Sequence, residues 1–134
     1  MPGAVIIPPV GERSVGFEVG GATLAIQEWA GSAPGELHVH HRDDIAWVVL
    51  EGSLHFRFAS RDIDAPAGTT LFIPAGTPHT YGEGEDSRYL VIAPPRLFAM
   101  FGELIAARKA RPNPAETTDD DRATYRRYDS ELLE

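Results

Sequence analysis

The side chains best suited to chemistry are histidines: of five in the chain, three fall in Leu37-His38-Val39-His40-His41. Side chains alternate faces along a strand, so an extended run here points His38 and His40 one way and His41 the other. Two imidazoles on one face can chelate a metal, whereas a lone strand histidine more often serves as a hydrogen-bonded or surface group. His79 follows Pro74-Ala75-Gly76-Thr77-Pro78, a run too rich in proline for a central strand. It reads as a stiff loop that delivers His79 at a fixed place. His55 reads as a surface or core polar residue. With no cysteine in the chain, any metal must sit on nitrogen and oxygen. There is no glycine-rich phosphate loop, and no serine sits in a Gly-x-Ser-x-Gly elbow.

The elements that must hold these groups are short. From Val5 to Ile92, apolar or alternating runs are separated by Gly, Pro, Asp and Ser, a spacing that predicts an all-β sandwich or barrel. Strands are expected at Thr23 to Trp29, Leu37 to His41, Ile45 to Leu50, Leu54 to Phe58, Thr70 to Ile73 and Arg88 to Ile92. Glu51-Gly52-Ser53 makes Ile45 to Phe58 read as a hairpin turning at Gly52, and a second turn is expected at Ser60-Arg61-Asp62. After Pro94-Pro95 the period becomes helical: Leu97, Phe101, Leu104 and Ile105 form one face, with Pro95 in the first turn and Arg108 and Lys109 in the last. This is an amphipathic helix on the outside of the barrel. A second helix is expected from an N-cap at Thr117 or Thr118, with Asp119 to Asp121 in its first turn and Tyr125, Tyr128 and Leu132 on one face. The acidic run reads as a helix start rather than a calcium site, and Glu83, Glu85 and Asp86 as a solvated loop.

Gly35-Glu36-Leu37-His38-Val39-His40-His41-Arg42-Asp43-Asp44-Ile45-Ala46-Trp47-Val48-Val49-Leu50-Glu51-Gly52 resembles the first motif of the cupin superfamily, two histidines one residue apart with a downstream turn glycine. About 25 residues later, Gly68-Thr69-Thr70-Leu71-Phe72-Ile73-Pro74-Ala75-Gly76-Thr77-Pro78-His79 is similar to the second. The helical tail is similar to tails of quercetinase-like cupins. The resemblance implies a double-stranded β-helix, the jelly-roll barrel, over residues 1–94, with one or two C-terminal helices over residues 95–134 packed on it as part of the same domain. It implies that His38, His40 and His79 are ligands to one divalent metal ion, Fe(II), Mn(II), Ni(II) or Zn(II).

The chain departs from that pattern at Ile45, which stands where the family places a glutamate ligand. A one-residue bulge would be needed to aim Asp44 inward as a substitute, at the cost of turning its neighbours, so three histidines are the favoured set. The family's asparagine is also missing, with Glu83 at its spacing. Without the carboxylate, a bound dication keeps more net charge and attracts an anionic chelating molecule more strongly. If Ile45 faces inward, Trp47 and Val49 do too, and Tyr81 shares the face of His79; these four would form an apolar wall around the metal, unless Trp47 and Tyr81 simply fill the core.

The resemblance implies a metal-dependent, dioxygenase-like enzyme acting on a small chelating substrate, aromatic or polyketide-like. A binding or sensing module without chemistry, or a metal-dependent isomerase or cyclase, fits the same residues. The net charge of −8, with scattered basic residues, argues against a nucleic-acid partner. No apolar run approaches the ~18 residues of a membrane span, and Met1 to Val10 carries no basic export signal, so a cytoplasmic location is expected. A homodimer is also expected, with Val5, Ile6 and Ile7 extending a neighbour's sheet edge.

Overall fold

The structure is a computed structural model that describes residues 3–13, 16–31, 35–82 and 86–134. Glu83 and Glu85, read above as part of a loop, lie outside the described residues. Among the described residues, a short 3-10 turn (Val10–Glu12) is followed by ten strands and two α-helices in order: β1 (Glu18–Gly20), β2 (Ala25–Ala30), β3 (His38–His40), β4 (Ile45–Glu51), β5 (Ser53–Phe58), β6 (Asp62–Pro66), β7 (Thr70–Ile73), β8 (His79–Gly82), β9 (Arg88–Ala93), α1 (Pro95–Lys109), α2 (Asp119–Arg127) and β10 (Ser130–Leu132). The strands form two antiparallel five-stranded sheets, β1-β2-β9-β4-β7 and β10-β3-β8-β5-β6, facing one another as a jelly-roll β-barrel.

Alternation along β4 shows how the sequence builds the inner face. Ile45, Trp47 and Val49 are 1–2% exposed, while Ala46, Val48 and Leu50 between them are only half-buried. Leu54 and Phe56 of β5 supply the same face of the opposite sheet and are fully buried. Trp47 meets Phe56 edge-on across the core, with ring centroids 5.3 Å apart.

The expected hairpin from Ile45 to Phe58 does not form. β4 pairs with β7 and β9, whereas β5 pairs with β6 and β8, so the chain changes sheets at Gly52. Gly52 has a φ of 71°, and a Cβ there would lie 2.8 Å from the Asp86 carbonyl oxygen and 2.9 Å from the Ser87 Cα. Glycine is needed because the corner is sharp and a second segment presses against it. The following reversal is closed by the Phe58 N–H to the Arg61 carbonyl, and β6 begins at Asp62.

The tail is more than a helical appendage. α1 starts behind Pro94-Pro95 and buries Leu97, Met100 and Leu104, while its Phe98 and Phe101 pack edge-on against Trp29 of β2. Thr118 caps α2 in a reciprocal capping box with Asp121. Leu132 does not continue that helix face: Asp129, at a φ of 54°, turns the chain, and residues 130–132 become β10, pairing with β3. Arg96 anchors this turn, donating to Asp43, to Asp129 and to the Tyr128 carbonyl at 2.8–2.9 Å. Residues 3–9 form no strand, and Val5 and Ile6 are exposed, so a continuous sheet edge is not preformed there. Among the described residues, no helix is long and apolar enough to cross a membrane.

Candidate metal centre

β3 is three residues long, yet it sits between two strands that place polar groups beside its histidines. His38 is directly opposite His79 of β8, and His40 is directly opposite Ser130 of β10. Opposed residues in an antiparallel pair share a face, so the register alone gathers all four side chains on the inner surface of one sheet. The ring centroids of His38 and His40 are 4.8 Å apart, those of His38 and His79 4.5 Å, and those of His40 and His79 5.5 Å.

Each imidazole uses Nδ1 for a supporting hydrogen bond. His38 Nδ1 donates to the Glu36 carbonyl at 2.8 Å, and His79 Nδ1 to the Thr77 carbonyl at 2.9 Å. His40 Nδ1 is 2.7 Å from the Ser130 hydroxyl. A carbonyl only accepts, so His38 and His79 must carry hydrogen on Nδ1 and a lone pair on Nε2. The Pro74 to Pro78 turn makes this support rigid for His79, since the Ala75 N–H donates to Asp44 and the Gly76 N–H to the His40 carbonyl.

The free nitrogens converge. One donor atom from each ring lies within 4.8 Å of the others. Among the described residues, Nε2 of His40 and of His79 are buried with no hydrogen-bond partner. A buried acceptor without a donor costs about 1–3 kcal/mol, and a cation bound by nitrogen removes that cost. Metal–nitrogen bonds of about 2.0–2.1 Å set ligand nitrogens roughly 3.0–3.4 Å apart, so chelation requires the widest-spaced pair of nitrogens to close by up to about 1.4–1.8 Å. Three neutral imidazoles backed by oxygen acceptors fit a divalent first-row metal.

Burial sets the protonation. It holds His38 down at about 3, helped by the neighbouring charge of His79. It holds His40 down at about 2, with His38 and His79 adding to the effect. His79 is lowered too, by burial against the opposing bond to Thr77. All three rings are therefore neutral and ready to coordinate at physiological pH.

The nitrogens open onto a cavity of about 130 Å³. Ile45, Trp47 and Tyr81 are among its walls, as is Val91 of β9. Val49 is not: two residues further along β4 it is 1% exposed and belongs to the packed core away from the cavity. Asp44 does not turn inward, because its carboxylate is spent on the Ala75 N–H at 2.9 Å and β4 begins without a bulge at Ile45. His41 points away from the cavity and approaches Glu131 at 3.4 Å. His55 is bracketed by Asp64 and Asp62 on the outside of β5 and β6, which raises its pKa through both hydrogen bonds.

Much of the remaining wall comes from residues that sequence reasoning left out of the site. Phe101, Leu104, Ile105 and Arg108 of α1, with Tyr125 of α2, cover the mouth. Their helical spacing was legible, but nothing in it says that this face lies over the barrel opening instead of its flank. Glu36 completes the rim, accepting from Arg108 at 3.0 Å and from the Thr117 hydroxyl. Burial would raise its pKa, but those two donors outweigh burial and keep it ionised. Tyr125 and Tyr81 are pushed upward, chiefly by burial, and stay protonated.

Residues 25–93, about half of the chain, match the cupin domain family. Among solved structures, KdgF from Halomonas sp. superposes with a TM-score of 0.51 at 22% identity, over 61% of this chain and 79% of its own. A cupin protein from Bacteroides fragilis gives 0.51 at 16% identity, over 69% and 82%. At these identities the likeness is one of fold. A cupin-2 domain containing protein from Shewanella frigidimarina shares 27% identity over 53% of this chain and 68% of its own, with a TM-score of 0.44. No curated protein sequence matches the chain. The family match spans both histidine motifs and the strands that carry them, so this chain belongs to the cupin domain family.

Proposed function

We propose that this cupin is a metal-dependent, dioxygenase-like enzyme acting on a small chelating molecule with an aromatic or polyketide-like body. His38, His40 and His79 hold one divalent ion, Fe(II), Mn(II), Ni(II) or Zn(II). The observation that carries the reading is the pair of buried, unpartnered Nε2 atoms of His40 and His79, two residues that line a largely apolar cavity. The ion supplies Lewis-acid polarisation of a bound oxygen atom and, where redox-active, electrons for dioxygen.

The chain's own groups bind, orient and exclude water. Trp47, Tyr81 and Phe101 offer ring faces to an apolar body, and about 130 Å³ suits roughly one ring, a cavity of ~150 Å³ being able to hold benzene. Residues of α1 and α2 line the cavity with the barrel strands and reduce the water that reaches it, which strengthens electrostatic contacts inside. Glu36 is already engaged by Arg108 and Thr117, so the cavity carries no uncommitted carboxylate base. That fact favours one second reading, a cupin that captures a small molecule without transforming it, and Ile45 in place of a carboxylate ligand points the same way.

Elemental analysis of purified and reconstituted protein, followed by oxygen-electrode assays on catechols, flavonols and diketones, separates the two. Stoichiometric metal with turnover supports the enzyme. Saturable binding without oxygen consumption supports the capture module, and protein that takes up no metal after reconstitution removes the basis of the proposal.

A further inference from the structure

We propose that Ser130, outside the segment matched by the family, is a positioning residue for His40: its hydroxyl fixes the ring as the Nδ1-protonated tautomer and turns the Nε2 lone pair toward the other two histidines. The inference rests on reading His40 as a metal ligand. His38 and His79 are held by backbone carbonyls, which no side-chain substitution removes. His40 alone depends on a side chain, and that side chain arrives 90 residues later in the sequence.

The chemistry of one hydroxyl decides the direction. Ser130 Oγ donates to the Tyr128 carbonyl at 3.1 Å and lies 2.7 Å from His40 Nδ1. A hydroxyl has a single hydrogen, so while that hydrogen is given to Tyr128 the oxygen can only accept from His40. Reversing the histidine tautomer would force Ser130 to choose between two acceptors. It would also place a hydrogen on Nε2, where a cation could then not bind.

Delivery of the hydroxyl is over-determined. Asp129 turns the chain at a φ of 54°, its side chain accepts from Arg96 at 2.8 Å and its carbonyl accepts from the His41 N–H at 2.8 Å. On the far side of β10, the Leu133 N–H reaches the Leu37 carbonyl at 2.9 Å. Ser130 itself is 2% exposed. A buried hydroxyl is unfavourable unless it is hydrogen-bonded, and here both of its bonds serve the turn and the ring.

The test uses the full chain with ¹⁵N-labelled imidazoles, first free of metal. Long-range ¹H–¹⁵N correlation should show His40 protonated at Nδ1 in the wild type. Ser130→Ala should abolish that preference and weaken cobalt(II) binding about 10- to 100-fold, with a changed cobalt absorption spectrum, and Ser130→Thr should restore all three. Thr118→Ala, which removes the α2 cap, should lower the melting temperature without altering tautomer or affinity. A wild-type His40 protonated at Nε2 overturns the proposal even if Ser130→Ala fails to fold, and so does a Ser130→Ala protein with unchanged tautomer and affinity. Wild-type protein with the expected tautomer but no cobalt binding leaves Ser130's role standing and instead defeats the metal reading.

Discussion

Protonation of His38 and His40 should cost little metal affinity between pH 7.5 and 5. An exposed imidazole with a pKa of 6.5 is only about 3% neutral at pH 5, so a site with two such rings would lose affinity about 1,000-fold on that acidification. In this protein burial disfavours the imidazolium, and mutual repulsion among the rings adds to it, holding His38 at about 3 and His40 at about 2. Both pKa values are lowered, so the folded protein starts to bind competing protons only well below pH 5. Protonation of these two rings should then reduce affinity by well under twofold at pH 5. Proton release gives an independent readout. At pH 6 two ordinary imidazoles would shed about 1.5 protons on metal binding, and two buried neutral ones essentially none. Equilibrium dialysis against zinc at a series of pH values, paired with calorimetry in buffers of different ionisation enthalpy, measures both quantities. Release near 1.5 protons at pH 6, or a fall in affinity approaching 1,000-fold between pH 7.5 and 5, would refute the argument that burial keeps His38 and His40 neutral.

The same burial should make the metal-free fold acid-sensitive: unfolded histidines take up protons near pH 6.5 while the folded rings do not, so stability falls as pH drops from 6.5 to 5 by about 1.5–2 kcal/mol per ring. Thermal melts without metal should show a drop on the order of 10 °C, and a flat melting temperature would count against it. Ile45→Glu places a carboxylate in the cavity wall beside the histidines; divalent affinity should rise at least ~10-fold while the metal-free protein loses about 3 kcal/mol, and affinity no better than wild type would sink the idea. Gly52→Ala forces a Cβ to 2.8 Å from the Asp86 carbonyl at a φ of 71° and should cost more than about 2 kcal/mol by urea titration. A loss below about 0.5 kcal/mol would mean that the corner relaxes freely.

Much of this architecture is visible in local pattern. Alternation at Ile45 to Leu50, the Pro94-Pro95 break, and the helical period of Leu97, Phe101 and Leu104 each reflect a periodicity that burial imposes on a short stretch. The inward pairing of His38 with His40 follows from the same rule. What the pattern hides is pairing between distant segments. The hairpin expected at Gly52 failed because a tight turn looks alike whether the strands it joins share a sheet or face each other. β10 was missed because Ser130–Leu132 is too short to alternate detectably and follows directly on a helix. Val49 was placed in the cavity wall, and the Ala75 N–H that engages Asp44 went unseen, by the same limit, since the depth of the cavity and that donor are tertiary facts.

The division of the cavity wall between barrel and tail has an evolutionary consequence. The histidines and β-strand residues are bound into sheet pairing, where each substitution is tested against barrel stability. Phe101, Leu104, Ile105 and Tyr125 instead come from helices beyond the ladder. Exchanges at Leu104 and Ile105 can reshape what the chamber admits without breaking the strand pairing that gathers the histidines, whereas Phe101 and Tyr125 also pack against the rings of His40 and His38, so variation in ligand preference is cheapest at the first two.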